Sequence, residues 1–203
     1  MRIRKQKRNT LYSTLLPLWL LALLLGGSHP HASDDKRNTI PDTVSIDSQY
    51  AVYWELAPLE EAADIIVIAH TSQSICERNN IIRYWDTGGI EYFYTETKLA
   101  VEKVVKAPSD LALKEGDSFD VLETFAYTTM GPRQKLRMDD YIELRQNSRY
   151  ALFLKRNTSG QYYIMNRNEG KFNLDGTDAD DLATINMFPT LWLNVYDKYA
   201  KLQ

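Results

Sequence analysis

The chain has 203 residues, with 27 acidic and 24 basic side chains and a single cysteine, Cys76. That length allows one domain with a self-sufficient core, and one cysteine excludes the internal disulfide framework common in small exported domains. The first 28 positions hold five basic residues and no acid, so the remainder carries 19 basic against 27 acidic residues, net −8 with histidine neutral, which excludes a nucleic-acid binder needing clustered Lys and Arg.

Arg2, Arg4, Lys5, Lys7 and Arg8 open the chain, an apolar run from Leu15 to Leu25 follows, and Gly26-Gly27-Ser28 ends it. A positive start, an apolar core and a small-residue exit make the pattern of a secretory signal over residues 1–28. The apolar core is well below the ~20 residues that span a bilayer comfortably. Cleavage after Ser28 fits the small-residue rule best and cleavage after Ala32 is second; an uncleaved anchor is the alternative. No cysteine follows the core, which excludes bacterial lipid attachment there. The expected location is secreted or extracytoplasmic and associated with the cell envelope, with membrane contact only through the leader.

Residues 29–48 are polar, with Pro30 and Pro41, and read as a flexible linker. A single domain is expected over 49–203. Pro58, Glu60 and Glu61 before Ala62-Ala63 indicate a short helix with proline and acids in its first turn. Ile65 to Ala69 is a dense β-branched run suited to a buried strand. Residues 72–91 read as a polar loop ending in the turn Asp86-Thr87-Gly88-Gly89. From Phe93, alternate positions carry Thr95, Thr97, Leu99, Val101 and Val105, with Glu96, Lys98 and Glu102 opposite. That period of two marks a long strand with one side inside, and Lys103 on the inner side indicates a bulge.

Pro108 ends this strand, and Glu115-Gly116-Asp117 turns the chain into a strand over 119–125. Arg133, Lys135 and Arg137 alternate in a hairpin as a solvated face. Strands are expected over 150–155 and 162–165, around a turn at Asn157–Gly160, with a last short one at Phe172 and Leu174. Leu191, Val195, Tyr199 and Leu202, joined by Trp192 and Tyr196, fit an amphipathic helix with Pro189 in its first turn. The expected fold is mainly β: a small OB-like barrel of five to six strands, closed or partly open, with a short N-terminal helix and a C-terminal amphipathic helix.

Several segments in order resemble a group of uncharacterised exported proteins of Gram-positive bacteria. Their "ADxIVxG" strand corresponds to Ala63-Asp64-Ile65-Ile66-Val67, and their "VxKVxKG" strand to Val101-Glu102-Lys103-Val104-Val105-Lys106. "LKxGDxxxV" corresponds to Leu113-Lys114-Glu115-Gly116-Asp117, "LxxGxxYLLFL" to residues 144–154, and the glycine-phenylalanine ending to Gly170-Lys171-Phe172. The resemblance spans roughly residues 59–174. It departs at Asn147, which replaces a glycine and is able to adopt a left-handed turn, and at His70, which replaces the glycine ending the first strand. The resemblance implies a barrel similar to the netrin-like module of metalloproteinase inhibitors (TIMP-like). It implies no catalytic residues, and the cysteine-anchored inhibitory edge of those inhibitors is absent.

Asp175, Asp178 and Asp180, with Asp181 and Asn173, form the candidate metal segment, since calcium takes several oxygens from a flexible loop. Lys171 and Leu182 stand where an EF-hand needs its first ligand and its bidentate glutamate, so capping of a following helix is the preferred reading. Zinc is disfavoured by the few His and Cys side chains, which leaves calcium as the one cofactor expectation. Cys76 and His70 are a formal nucleophile–base pair without any thiol-hydrolase signature, and the acid pairs Glu60/Glu61 and Asp139/Asp140 read as surface. The binding candidates are aromatic: Tyr84, Trp85, Tyr92 and Tyr94, with Tyr163 as a further outer-face aromatic, while Trp54 and Trp192 read as packing helices onto the barrel. The expected function is a non-catalytic envelope module recognising a protein or a wall glycan. The alternatives are a hydrolase or thiol enzyme with a dispersed site and a calcium-stabilised surface protein.

Overall fold

The computed structural model describes residues 42–202 apart from Met130, Thr184 and Asn186. The expected leader and most of the expected linker therefore lie outside the described residues. Ten strands and three helices follow in order: β1 (Asp42–Ile46), α1 (Leu56–Ala62), β2 (Ile65–His70), β3 (Asn79–Tyr84), β4 (Ile90–Lys106), β5 (Ser118–Glu123), β6 (Phe125–Tyr127), β7 (Gln134–Met138), β8 (Tyr150–Arg156), β9 (Tyr162–Ile164), β10 (Lys171–Asn173), α2 (Ala179–Ala183) and α3 (Pro189–Tyr199).

Five of the strands close on themselves in the order β8-β2-β4-β5-β9 and back to β8. The ring shuts through a parallel β5–β9 pair, Val121 opposite Tyr162, and an antiparallel β8–β9 pair, Leu154 opposite Ile164. This is an OB-like closed barrel of five strands with extra strands attached. Beside it, β1, β7 and β6 form a three-stranded sheet, in which β1 runs parallel to β7.

The barrel strands β2 and β8 are buried on both sides, which explains why neither alternates in sequence. Ile65, Val67, Ala69, Tyr150, Leu152 and Leu154 fill the barrel interior. Ile66, Ile68, Ala151 and Phe153 point outward into a second core, capped by Leu59 of α1 and by Leu191, Val195 and Tyr199 of α3. Each such side chain taken fully out of water contributes about 1.5–3 kcal/mol, so α1 and α3 are part of the barrel's packing.

Strand β4 spans 17 residues and serves three partners: β3 along its first part, β5 in the middle and β2 at its end. The register against β2 slips twice, between Ile66 and Val67 and between Ile68 and Ala69. These are the bulges expected near Lys103, and they reverse the phase: Val104 packs against the barrel core while Val105 is exposed. Val105, expected inside by simple alternation, is corrected to the surface.

Three other expectations change. Residues 42–46, expected within the linker, form β1. The expected polar loop at 72–91 contains β3, paired along its length to β4. Helix α1 begins at Leu56, which moves Glu60 and Glu61 from the first turn into the second. Two lysines meet the C-terminal carbonyls of α1: Lys106 donates to Glu60 O (2.7 Å), Glu61 O (3.1 Å) and Ala63 O (2.5 Å), and Lys155 to Ala62 O (2.7 Å). Positive charge there satisfies orphan acceptors and opposes the negative helix end.

Candidate functional site

The four aromatic candidates all fall on the β3–β4 hairpin, but on different sides of it. Tyr92 and Tyr94 lie opposite Arg83 and Ile81 in the register. Their rings stack at 6.0 Å with planes 11° apart. Arg83, opposite Tyr92, pairs with Glu91 at 2.9 Å. Farther along, Asn79 donates to Glu96 at 2.9 Å, and Gln161 from the β8–β9 turn reaches the same carboxylate at 3.4 Å. Ile82 and Phe93 take the other face, packing with Ala126 and Leu136 of the three-stranded sheet. That face holds the hairpin down and leaves the tyrosine side outward. Tyr84 follows Ile82 by two and lies opposite Ile90, across the register shift on the packed side. Trp85 sits at the tip, held by backbone bonds from Trp85 N to Gly89 O and from Gly88 N to Trp85 O, both 2.8 Å, and is 56% exposed. Tyr163, Trp54 and Trp192 lie elsewhere: Tyr163 and Trp192 pack against the second core, and Trp54 is exposed beside Phe188 at 4.8 Å.

A second polar arrangement has no counterpart in the sequence reading. Glu123 ends β5 fully buried and accepts hydrogen bonds from Arg78 Nη1 (2.9 Å), Tyr141 OH (2.9 Å), Leu144 N (2.8 Å) and Thr97 OH. Arg78 also donates to Leu144 O (2.6 Å) and Gln73 O (3.3 Å), while its Nε is buried without a partner. Burial, followed by the charge and hydrogen bond of Glu123, pushes the Tyr141 phenol well above its ordinary range. With four donors on one carboxylate, Glu123 has no capacity left as a general base; the cluster ties β3, β5 and the 141–144 segment together. Above it opens a cleft of about 870 Å³, lined among others by Arg78, Lys135, Arg137, Tyr141, Arg145 and Asp180.

The expected solvated face holds for exposed Arg133 and is corrected for Lys135 and Arg137, which are half-buried. Lys135 pairs with Glu143 and lies 5.6 Å from the Phe125 ring, Arg133 stacks over Tyr127 at 4.7 Å, and Arg137 lines the cleft half-buried.

The metal candidates face protein donors. Asp175 accepts from Arg149 N (3.0 Å), Asn173 Nδ2 (2.8 Å), Thr177 N (3.2 Å) and Thr177 OH (2.6 Å). These donors outweigh desolvation and hold its carboxyl below the usual range. Asp178 is buried, takes the Tyr150 hydroxyl at 2.5 Å, and caps α2 through the N–H groups of Asp180 and Asp181 at 3.2 and 3.3 Å. Asp180 is exposed, and Asp181 pairs with buried Lys171 at 2.5 Å. Among the described residues no three His, Cys, Asp or Glu side chains are grouped to hold a metal. His70 Nδ1 meets Glu102 at 2.7 Å, which also takes Arg149 at 2.6 Å, and Cys76 is exposed in a 3₁₀ turn. No described helix is long and apolar enough to cross a membrane.

Comparison with known proteins returned no matching family model and no matching curated protein. Of the residues that sequence reasoning missed, Glu123 gave a signal: it is a lone acid in Val121-Leu122-Glu123-Thr124-Phe125, on a strand otherwise turning inward. Arg78 and Arg145 gave none, because each lies in a segment without a readable period.

Proposed function

We propose that the chain is a non-catalytic binding module of the cell envelope, exported by its leader, which takes a protein segment or a wall glycan on the outer face of the β3–β4 hairpin. The observation that carries this reading is the outward pair of stacked tyrosines, Tyr92 and Tyr94, flanked by Ile81 and Arg83 and anchored from beneath by Ile82 and Phe93. Stiff aromatic surface on a strand loses little side-chain entropy on binding, which is why Tyr and Trp dominate binding hot spots.

The test is cosedimentation of the purified protein with an isolated envelope fraction from its native cells. Binding by the wild type, lost on Tyr92→Ala/Tyr94→Ala but kept on Tyr196→Ala, supports the reading. Equal binding by all three proteins removes this face as the site, and no binding by the wild type removes the envelope ligand. Digestion of the fraction with protease or with a glycan hydrolase separates the two ligand classes.

A further inference from the structure

The cleft beneath the β6–β7 hairpin is separate from the tyrosine face, and its charges are unevenly partnered. Of its cations, Arg78 is held by Glu123 and Lys135 by Glu143. Arg137 and Arg145 have no side-chain hydrogen bond or ion pair among the described residues. The Nε of Arg137 is buried without a partner, and so is the Nε of Arg78, whose side chain is fully buried in the same cleft lining. A buried donor left unmade costs about 1–3 kcal/mol, more when charged, and the unpaired side chains of Arg137 and Arg145 leave this lining with positive charge that the fold does not neutralise.

We propose that this cleft binds a carboxylate-bearing ligand, such as the free end of a peptide, with Arg137 as its principal partner and Arg145 at the rim. With Nε buried, the two Nη groups of Arg137 are the fork left to match a carboxylate in two parallel hydrogen bonds. The remaining lining selects for single charge. Glu143, Asp178 and Asp180 border the same space, and these carboxylates disfavour a dianion such as phosphate while tolerating a monoanion. Asp180, exposed at the start of α2, is placed to receive a positive group on the same ligand. The volume of about 870 Å³ exceeds what a lone ion needs and falls in the range of small-molecule sites.

The experiment is a titration of the full domain with N-acetylglycine, followed by the NMR signals of the arginine Nε–H groups. N-acetylglycinamide, which lacks the charge, and inorganic phosphate serve as parallel probes. Saturable movement of the Arg137 Nε–H signal with N-acetylglycine, and none with the amide, is the expected result. Arg137→Lys keeps the charge but loses the fork and should weaken binding by at least about tenfold. Arg145→Gln, at an exposed position, should weaken it less without disturbing the fold. Absence of saturable binding, equal binding of the amide, or unchanged binding in both variants overturns the proposal. Tighter binding of phosphate than of N-acetylglycine overturns the carboxylate assignment.

Discussion

Glu123 shows how one side chain can organise a barrel end. Its four donors come from β3's entry, β4, and the segment after β7, and none is exposed to water at the contact. Removing one partner of a buried pair strands the other charge, so Glu123→Leu should cost about 3–5 kcal/mol in chemical denaturation. Arg78→Leu/Glu123→Leu should recover much of that loss, and a double variant as unstable as the sum of the singles would refute the pairing. Gly170 poses a steric demand instead: a Cβ there would lie 1.6 Å from the Met165 carbonyl oxygen. Gly170→Ala should therefore destabilise by about 3 kcal/mol, at the upper end for overpacking, with wild-type stability contradicting the close approach. The sequence disclosed the left-handed position of Asn147, which has φ of 61°. It did not disclose Arg78 with Glu123, because residues 45 apart meet only once β3 and β5 both pair with β4.

At the scale of elements, local periodicity located most strands but misread those whose two faces differ in an unusual way. The doubly buried β2 was legible as a β-branched run, and α3 as a stripe ending at Tyr199. Strand β3 was hidden because its outward side carries Asn79, Ile81 and Arg83 and its inner side opens with Asn80, so polar residues fall on both faces. Val105 was misplaced because two bulges intervene, and bulges arise from pairing with a distant strand. The α1 terminus offers a test of element coupling. Lys106→Met keeps the apolar stem but removes three hydrogen bonds to helix carbonyls, and should cost about 1–2 kcal/mol. An unchanged unfolding midpoint would show that solvent replaces the ammonium without loss.

For the whole molecule, the titrating groups predict loss of stability at both pH extremes. Burial draws the Asp64 carboxyl upward, yet the Arg156 N–H and the Lys155 ammonium outweigh it and hold it below the usual range. A carboxyl depressed in the fold contributes stability above its unfolded pKa of about 4 and loses it as pH falls through the folded value. Asp64→Asn should therefore destabilise at neutral pH and flatten the acid limb. Burial raises Tyr50, Tyr127, Tyr141, Tyr150 and Tyr199 above 10.0. A raised phenol contributes stability fully below its unfolded pKa and loses it as pH rises through the folded one. Ionisation of the buried Tyr141 and Tyr150, followed by their NMR ring signals above pH ~10, should thus coincide with unfolding; ionisation of these two in an intact fold would contradict this.

The central functional claim is that a ligand covers the tyrosine side of the β3–β4 hairpin. The most direct measurement places a photoreactive phenylalanine at position 94 in native cells, with the same group at position 196 on α3 as reference. The expected result is one dominant crosslinked envelope species from position 94 and none from position 196. Equal products from both positions, or none from position 94, would contradict the claim.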